Sequence, residues 1–312
     1  MSAALTLGDL SPQALDAALR GPGLRLRTGP WVFAIRSRLP QLLTALPALY
    51  GRHPLADDNT FADFHVEVIR ATGLRRYIRP QIYFGIGGES PFSPLPADQG
   101  VPILEWGMNW CITGHAHHLL VLHAAVLERN GRALILPAPS GSGKSTLCAA
   151  LLLRGWRLLS DELALIDPAT GQLLPFPRAV SLKNASIEVI QAFGGDQLQF
   201  ASVVRDTVKG TVGHFAPPPD AVERGDERAG PGWIVFPKYV AGSAASLSPM
   251  TRGQAMIGLI ENAFNYNLLH RTGFQTMANL VQASTCRRFQ YSRLDEAVQL
   301  FDELSCLPPG AA

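Results

Sequence analysis

The segment Ala138-Pro-Ser-Gly-Ser-Gly-Lys-Ser-Thr146 decides how the rest of the chain is interpreted. It fits the phosphate-binding pattern G-x-x-x-x-G-K-[ST], with Ala138 in place of the first glycine, and it stands between an apolar strand-like run and a helix-forming run. Gly141 and Gly143 allow the backbone to wrap closely around an anion, and the helix that follows presents its positive N-terminus to the same charge. The segment therefore predicts a phosphate-binding loop.

The residues of this loop have expected roles in binding ATP. Lys144 is long enough to reach the β and γ phosphates, and the Ser145 hydroxyl is a suitable ligand for Mg²⁺. A chance glycine-serine turn is the alternative, and the strand-helix context argues against it. Lys183 is a further candidate that would close over the phosphates, with ordinary solvated loop charge as its alternative. The expected nucleotide-binding loop comprises Ala138, Pro139, Ser140, Gly141, Ser142, Gly143, Lys144, Ser145 and Thr146.

A carboxylate pair and a histidine accompany the loop. Asp161 and Glu162 follow the short apolar run Leu158-Leu159, so we expect a strand after the loop helix to deliver both carboxylates beside the phosphates. A solvated turn is the alternative. His123 lies in the apolar run Leu120–Leu127, which is expected to neighbour the loop strand, and the ordinary interpretation of such a histidine is a core residue.

Composition excludes several other classes of protein. The 312 residues carry a formal net charge of +2 without a long basic run, which predicts no nucleic-acid or polybasic membrane surface. The four cysteines are isolated from one another, as is typical of thiols in a reducing compartment. The N-terminal sequence lacks the pattern of a signal peptide, and no apolar stretch is long enough for a membrane helix. We therefore expect a cytoplasmic protein.

Hydrophobic periodicity predicts alternating strands and helices, which is typical of an α/β fold. The polar, proline-rich segment 216–231 is predicted to be a mobile surface loop rather than a domain boundary. The predicted helices are a short one within segment 1–20 that has Pro12 in its first turn, Ile103–His118, Thr146–Arg154, 251–282 and 293–304. The predicted strands are Trp31–Arg36, Thr60–Ala71, Gln81–Gly85, Leu119–Glu128, Ala133–Leu136, Arg157–Ser160 and Leu163–Ile166, of which Thr60–Ala71 is also compatible with an amphipathic helix.

The order of these features resembles the catalytic domain of bacterial HPr kinase/phosphorylase. The spacings between His123, Lys144 and Asp161 agree with that family. The wider pattern is most similar to the branch called HPr-kinase-related kinase A, and this similarity extends over nearly the whole chain. Its motifs here are Glu105-Trp-Gly-x-Asn-Trp110, Gly141–Leu151, Gly155-Trp156, Ser160-Asp-Glu162 and Ser181-Leu-Lys-Asn184.

The resemblance implies a P-loop kinase domain at 111–312, with a fold related to phosphoenolpyruvate carboxykinase, after a smaller α/β region at 1–110 that is a candidate for acceptor recognition. It implies that Asp161 is the base that accepts the proton of an acceptor hydroxyl, that His123 orients or partners Asp161, and that Lys144 neutralises the transferred phosphoryl group. It also implies that Ser145 and Glu162, with Asp161, hold Mg²⁺.

The chain also departs from the family. Glu162 stands where a second aspartate is usual, Thr146 stands where a glutamate is usual, and an arginine- and glycine-rich signature after the acidic pair is absent from the sequence. The first 110 residues do not match the N-terminal domain of the bifunctional enzyme. Phosphorolysis and the HPr substrate are therefore left out of what the resemblance implies.

The leading hypothesis is an ATP-dependent, magnesium-using kinase whose acceptor is a hydroxyl, expected to be a serine of a peptide or small protein. Two alternatives use the same loop: a binding module gated by its nucleotide state, and a small-molecule or phosphoenolpyruvate-carboxykinase-like enzyme. The acceptor, the reversibility of the reaction and the number of subunits in any homo-oligomer are left open by the sequence.

Overall fold

A computed structural model describes residues 5–139 and 141–306. The predicted loop residue Ser140 lies outside the described residues. The helices are α1 (Pro12–Arg20), α2 (Pro40–Tyr50), α3 (Gly100–His115), α4 (Lys144–Leu152), α5 (Ala185–Gly194), α6 (Pro219–Glu223), α7 (Arg252–Glu261), α8 (Tyr266–Ala283) and α9 (Leu294–Cys306).

The strands alternate with these helices, so the chain has a mixed α/β fold with several sheets. They are β1 (Leu24–Thr28), β2 (Trp31–Ser37), β3 (Phe64–Arg70), β4 (Gln81–Ile86), β5 (Leu95–Pro96), β6 (Leu120–Arg129), β7 (Arg132–Pro137), β8 (Arg157–Ser160), β9 (Leu163–Ile166), β10 (Leu173–Leu174), β11 (Val180–Lys183), β12 (Ser202–Thr207), β13 (Gly210–Phe215), β14 (Gly230–Tyr239), β15 (Ser246–Pro249) and β16 (Thr285–Tyr291).

The chain divides into two compact units. The first comprises the chain up to Cys111 together with Arg178–Ile187 and Gln199–Glu223, and the second comprises Ile112–Pro177, Glu188–Leu198 and the chain from Arg224 onward. The sequence predicted an acceptor-recognition region at 1–110 and a kinase domain at 111–312. This division by role stays a prediction.

The first unit contains two sheets. Five strands have the order β1-β2-β3-β4-β5, in which β2 and β3 are parallel and joined by helix α2. A separate three-stranded antiparallel sheet has the order β11-β13-β12. A buried network also stabilises this unit. Arg178 donates to the Glu105 carboxylate at 2.7 Å and to Asn109, while the Tyr50 hydroxyl donates to Glu105 at 2.6 Å.

The second unit is built on one eight-stranded sheet. Its order is β10-β9-β6-β7-β14-β16-β15, and β8 also pairs with β6. Strands β7, β14 and β16 are parallel to one another, so their carboxyl ends meet at the same edge. The core that supports this sheet is formed mainly by buried aliphatic residues of β6, β7, α7 and α8.

The predicted strands are all present, with ends that differ by a few residues, and Thr60–Ala71 forms strand β3 rather than a helix. The predicted helix 251–282 is two helices, α7 and α8, with a break at residues 262–265. The prediction that 216–231 is a mobile surface loop rather than a domain boundary is wrong in part, because the boundary between the two units falls after Glu223. Helix α6 begins at Pro219, and strand β14 begins at Gly230 because its backbone pairs with β7.

No helix within residues 5–139 and 141–306 has both the length and the apolar character needed to cross a membrane.

A buried ion pair joins three segments of the second unit. Arg157 donates to Glu128 at 2.5 Å, and both side chains are almost fully buried. The guanidinium also donates to the carbonyls of Arg224 and Glu227, while Glu128 accepts from the Gly131 N–H in the β6–β7 turn. The network therefore fixes the β6–β7 turn against the start of β8 and the chain before β14.

The substitution Arg157→Met tests this network. It leaves the buried Glu128 carboxylate with only the half-exposed Arg224 guanidinium, 3.5 Å away. We therefore expect the free energy of unfolding to fall by up to about 3–5 kcal/mol, the cost of removing one partner of a buried pair. Urea unfolding monitored by circular dichroism measures the change. The double variant Glu128→Gln/Arg157→Met also removes the buried carboxylate charge, so it should recover part of the lost free energy of unfolding. Equal destabilisation of the single and double variants would contradict the explanation.

The same pair predicts a pH dependence of stability. Burial acts to raise the pKa of Glu128, but the hydrogen bonds from Arg157 and from the Gly131 N–H outweigh it and lower the pKa below the usual 4.5. The stabilisation is therefore complete above 4.5 and is lost as the pH falls through the lower folded-state pKa. We expect the unfolding free energy of the native chain to fall more steeply below pH 4.5 than that of Glu128→Gln/Arg157→Met. Parallel curves for the two proteins would show that Glu128 titrates normally.

Candidate functional site

The phosphate-binding loop lies at the carboxyl ends of three parallel strands. Strand β7 ends at Pro137 and leads into the loop, while β14 and β16 end at the register pair Tyr239 and Tyr291. Helix α4 begins at Lys144, directly after the loop. In open α/β sheets, ligands bind outside the carboxyl ends of the strands, so the loop occupies the usual position for a binding site.

Two tyrosines hold the loop backbone from behind. The Tyr239 backbone N–H donates to the Ser142 carbonyl at 2.9 Å, and the Tyr291 hydroxyl donates to the Gly143 carbonyl at 2.9 Å. Burial raises the pKa of Tyr291, which keeps the hydroxyl protonated as a donor. Because the C=O and N–H of a trans peptide point in opposite directions, these bonds turn the N–H groups of Gly143 and Lys144 away from the tyrosines. The Gly143 N–H therefore faces away from the tyrosines, and the Lys144 N–H donates to the Ser142 hydroxyl at 3.4 Å.

Glycine is required at two positions of this loop. Gly141 has φ +86° and Gly143 has φ +89°, a left-handed conformation that other residues adopt only with strain. Gly143 is also close to its support, because an added Cβ would lie 2.5 Å from the Tyr291 hydroxyl oxygen. A Cβ at Gly141 would meet open space. The sequence prediction that both glycines shape the loop agrees with this geometry.

Lys144, His123 and Glu162 form a chain of contacts. The Lys144 Nζ lies 3.1 Å from His123 Nε2. His123 Nε2 also lies 3.4 Å from a carboxylate oxygen of Glu162. His123 Nε2 accepts from the lysine when it carries no proton and donates to Glu162 when it does. The histidine is thus in contact with the cation of the loop and with one member of the predicted carboxylate pair.

A backbone hydrogen bond and a ring contact explain the position of His123. Its N–H donates to the Asn262 carbonyl at 2.7 Å, and its ring lies edge-on to Phe264 with the ring centroids 6.0 Å apart. Strand β6 pairs with the loop strand β7, as the sequence predicted. The sequence left open that His123 is an ordinary core residue. Its ring is instead partly exposed.

Asp161 and Glu162 lie in the two-residue link between β8 and β9, and both of these strands pair with β6. The Ala124 N–H donates to the Glu162 carbonyl, and Ala124 is also the register partner of Pro137 at the start of the loop. The carboxylate pair is therefore two strand spacings, about 10 Å, from the beginning of the loop. The two residues directly follow the end of β8, as the sequence predicted, and they interrupt the ladder that β8 and β9 form with β6.

Opposite charges are buried close together at this point. Asp161 is 3% exposed and Lys144 is 6% exposed. Burial raises the pKa of the Cys148 thiol well above its usual range, the nearby Asp161 adds to the rise, and Lys144 opposes it. Both charges therefore act on the same thiol of helix α4. Buried charges are stable only when they are paired or solvated by polar groups, and both of these charges lie near the Cys148 thiol.

The oxygen groups near the loop suit a magnesium ion. The hydroxyl of Ser145 is on the first turn of α4, and the carboxylates of Asp161 and Glu162 lie across β6. Hard oxygen ligands are what Mg²⁺ prefers, and it takes the remaining ones from water and from nucleotide phosphates. Among the residues that the structure describes, no cluster of three or more His, Cys, Asp and Glu side chains could hold a metal by itself. That Ser145, Asp161 and Glu162 hold magnesium stays a prediction.

The other predicted binding residues are placed as follows. Ala138 is buried and Pro139 is exposed at the start of the loop, and Ser142 and Thr146 are half-buried. Lys183 ends strand β11 in the first unit, where its backbone N–H donates to the Ser186 hydroxyl. The part that Lys183 plays in nucleotide binding stays a prediction.

Sequence reasoning missed the residues that support the site from distant parts of the chain. Tyr239, Tyr291, Asn262 and Phe264 carry no motif, and each contacts the loop or His123 only after the sheet has formed. The apolar run Trp233–Phe236 in β14 indicates a strand, but such a local pattern does not place the end of the strand beside the loop.

A family model described as SynChlorMet cassette protein ScmC matches residues 103–188, which include His123, the loop and the carboxylate pair. No curated protein matches the chain. Among solved structures, the chain is similar to the Hpr(Ser) kinase/phosphatase from Coxiella burnetii, with 12% sequence identity over 59% of this chain and 92% of that chain and a TM-score of 0.25. A likeness at that level decides neither fold nor function.

Proposed function

We propose that the chain is an ATP-dependent kinase of the HPr-kinase type, which transfers the γ-phosphate to a hydroxyl, such as a serine, of a peptide or small protein. The proposal rests chiefly on one observation. The glycine loop, whose carbonyls accept hydrogen bonds from Tyr239 and Tyr291, is separated from Asp161 and Glu162 by the single strand β6. The motif resemblance of the sequence adds support. Phosphoryl transfer depends mainly on positioning and charge stabilisation, and this site supplies groups for both.

In the proposed reaction, the acceptor hydroxyl attacks the γ-phosphorus of ATP. A new O–P bond forms, the bond between the γ-phosphorus and the bridging oxygen breaks, ADP leaves, and the hydroxyl proton passes to the Asp161 carboxylate. The N–H groups of the loop and the Lys144 ammonium bind the phosphates and stabilise their charge. His123 positions Lys144 and Glu162 through the contacts of its Nε2.

Ser145 and Glu162, with Asp161, would hold the magnesium ion. When bound, this ion supplies charge neutralisation between the phosphate oxygens.

A nucleotide-gated binding module is the second candidate, and the burial of Asp161 is the observation that favours it. A buried carboxylate beside Lys144 would stabilise the loop without touching an acceptor. A small-molecule kinase on the same fold is distinguished only by its acceptor, because a fold does not identify a substrate.

The substitution Asp161→Asn separates the kinase from the binding module. It removes the base but keeps the shape of the side chain, so we expect transfer to fall by about 10²–10⁴-fold. ATP binding should fall by a much smaller factor, which reports the loss of a buried charge from the group that includes Lys144. Transfer of labelled γ-phosphate to lysate proteins, followed by mass spectrometry of the products, measures the first effect, and calorimetry measures the second. Asp167→Asn, in the exposed turn after β9, is the matched control. Normal transfer by Asp161→Asn would eliminate Asp161 as the base.

The loop geometry predicts unequal effects of two glycine substitutions. Gly141→Ala introduces only backbone strain, which costs about 1–2 kcal/mol. Gly143→Ala adds the clash with the Tyr291 hydroxyl, so we expect it to weaken ATP binding much more. Calorimetric titration with ATP and magnesium compares the two variants.

Combining Gly143→Ala with Tyr291→Phe tests the cause of that difference. Removing the hydroxyl relieves the clash, so the double variant should bind ATP more tightly than Gly143→Ala. Equal binding by Gly141→Ala and Gly143→Ala would show that Tyr291 does not constrain the loop.

A further inference from the structure

A cavity of about 530 Å³ in the first unit is lined by five arginines and one carboxylate. We call it the arginine cavity, and its charged residues are Arg20, Arg36, Arg38, Arg70, Arg76 and Glu67. Its apolar wall includes Leu19 and Ile69. The net charge of the lining is thus strongly positive, although the whole chain is nearly neutral.

Within residues 5–139 and 141–306, only one of these five guanidinium groups has an acidic partner. Arg20 is paired with Asp16 on helix α1 at 2.7 Å. For Arg36, Arg38, Arg70 and Arg76, residues 5–139 and 141–306 provide no carboxylate within ion-pair distance. Like charges that are gathered in a concave site repel one another, and an anion that enters the site relieves this repulsion. Planar guanidinium groups are suited to carboxylates because they donate two parallel hydrogen bonds.

The fold places this cavity where α/β sheets bind ligands. Arg36 and Arg38 lie at the carboxyl end of β2, and Arg70 ends the parallel strand β3. Helix α2 connects the two strands, and it begins with Pro40 directly after this edge. The carboxyl ends of parallel strands are the general location of ligand sites in such sheets. The parallel pairing of β2 and β3 therefore brings together arginines that are distant in the sequence.

The segment Gly73–Pro80, which follows β3, extends this surface with apolar side chains. Leu74 is 70% exposed, Tyr77 is 75% exposed and Ile78 is 57% exposed. The arginines of the segment lie on both sides of it: Arg76 lines the arginine cavity, while Arg75 and Arg79 line a second cavity of about 530 Å³. A free inorganic anion would use the guanidinium groups alone. A ligand that also uses exposed apolar groups carries both charges and apolar side chains.

We infer that the arginine cavity and segment Gly73–Pro80 bind an acidic peptide segment of a partner protein. Aspartate and glutamate side chains of the peptide bind in the cavity, and its aliphatic or aromatic side chains contact Leu74, Tyr77 and Ile78. The site lies entirely in the first unit, and the inference is independent of the proposed kinase activity.

Fluorescence anisotropy with the full-length chain tests the inference. The probe is a short labelled peptide of glutamate, aspartate and leucine, compared with peptides in which the acids are replaced by glutamine or the leucines by serine. We expect the acidic-apolar peptide to bind most tightly, with an affinity that falls at high salt because exposed charges are screened. Both replacement peptides should bind more weakly.

Two exposed arginines of the cavity provide the variants. Arg36→Gln and Arg70→Gln should each lower the affinity by about tenfold, because each removes a charge-assisted hydrogen bond to a carboxylate. Arg205→Gln, which changes an equally exposed arginine of the same unit outside both cavities, should leave the affinity unchanged. Circular dichroism confirms that the variants are folded.

Several outcomes would overturn the inference. Equal binding of the glutamine-substituted peptide, or equal loss of affinity in Arg205→Gln, would show that the cavity does not select acidic side chains. Tighter binding of pyrophosphate, of a single-stranded oligonucleotide or of anionic lipid vesicles, lost in Arg36→Gln, would assign the site to a different class of ligand. Unchanged peptide affinity in Arg36→Gln/Arg70→Gln would place any binding elsewhere.

Discussion

The candidate site depends on how the backbone of the glycine loop is held. The Tyr239 N–H and the Tyr291 hydroxyl each bind one loop carbonyl, and both residues end strands that run parallel to the strand leading into the loop. A loop that is free in solution would lose conformational entropy each time it closed around a phosphate. Folding of the sheet has already ordered this one, so binding energy is available for the ligand itself.

Local patterns made part of this arrangement predictable. The loop, the strands β6 and β7 and the helix α4 are adjacent in sequence, and short-range periodicity and glycine spacing are enough to place them. Tyr239 and Tyr291 were missed because their contacts with the loop join residues that are distant in the chain. Helix α2 was missed for another reason. Pro47 lies in its interior, where it opposes helix formation, but burial of Leu42, Leu46 and Leu49 stabilises the helix.

The segment 216–231 shows the limit of composition as a guide. Its prolines, glycines and charges are typical of a mobile loop, yet part of it begins β14, the strand that lies between β7 and β16 in the sheet. Backbone hydrogen bonds to β7 do not depend on side-chain type, so polar composition cannot exclude a strand whose partner is supplied by the tertiary fold. The same reasoning applies to Asp161 and Glu162. These polar residues lie between β8 and β9, and both of these strands pair with β6.

The burial of Asp161 and Lys144 determines how changes at this site should be interpreted. Each charge is stabilised by the other members of a group that includes His123 and Glu162. Removal of one charge leaves the rest uncompensated in a poorly solvated place, and this cost adds to any loss of contact with phosphate. Single substitutions therefore report on the whole group. The contribution of Lys144 to phosphate binding follows only from a double-mutant cycle with Asp161, in which the coupling between the two charges is measured separately from the ligand.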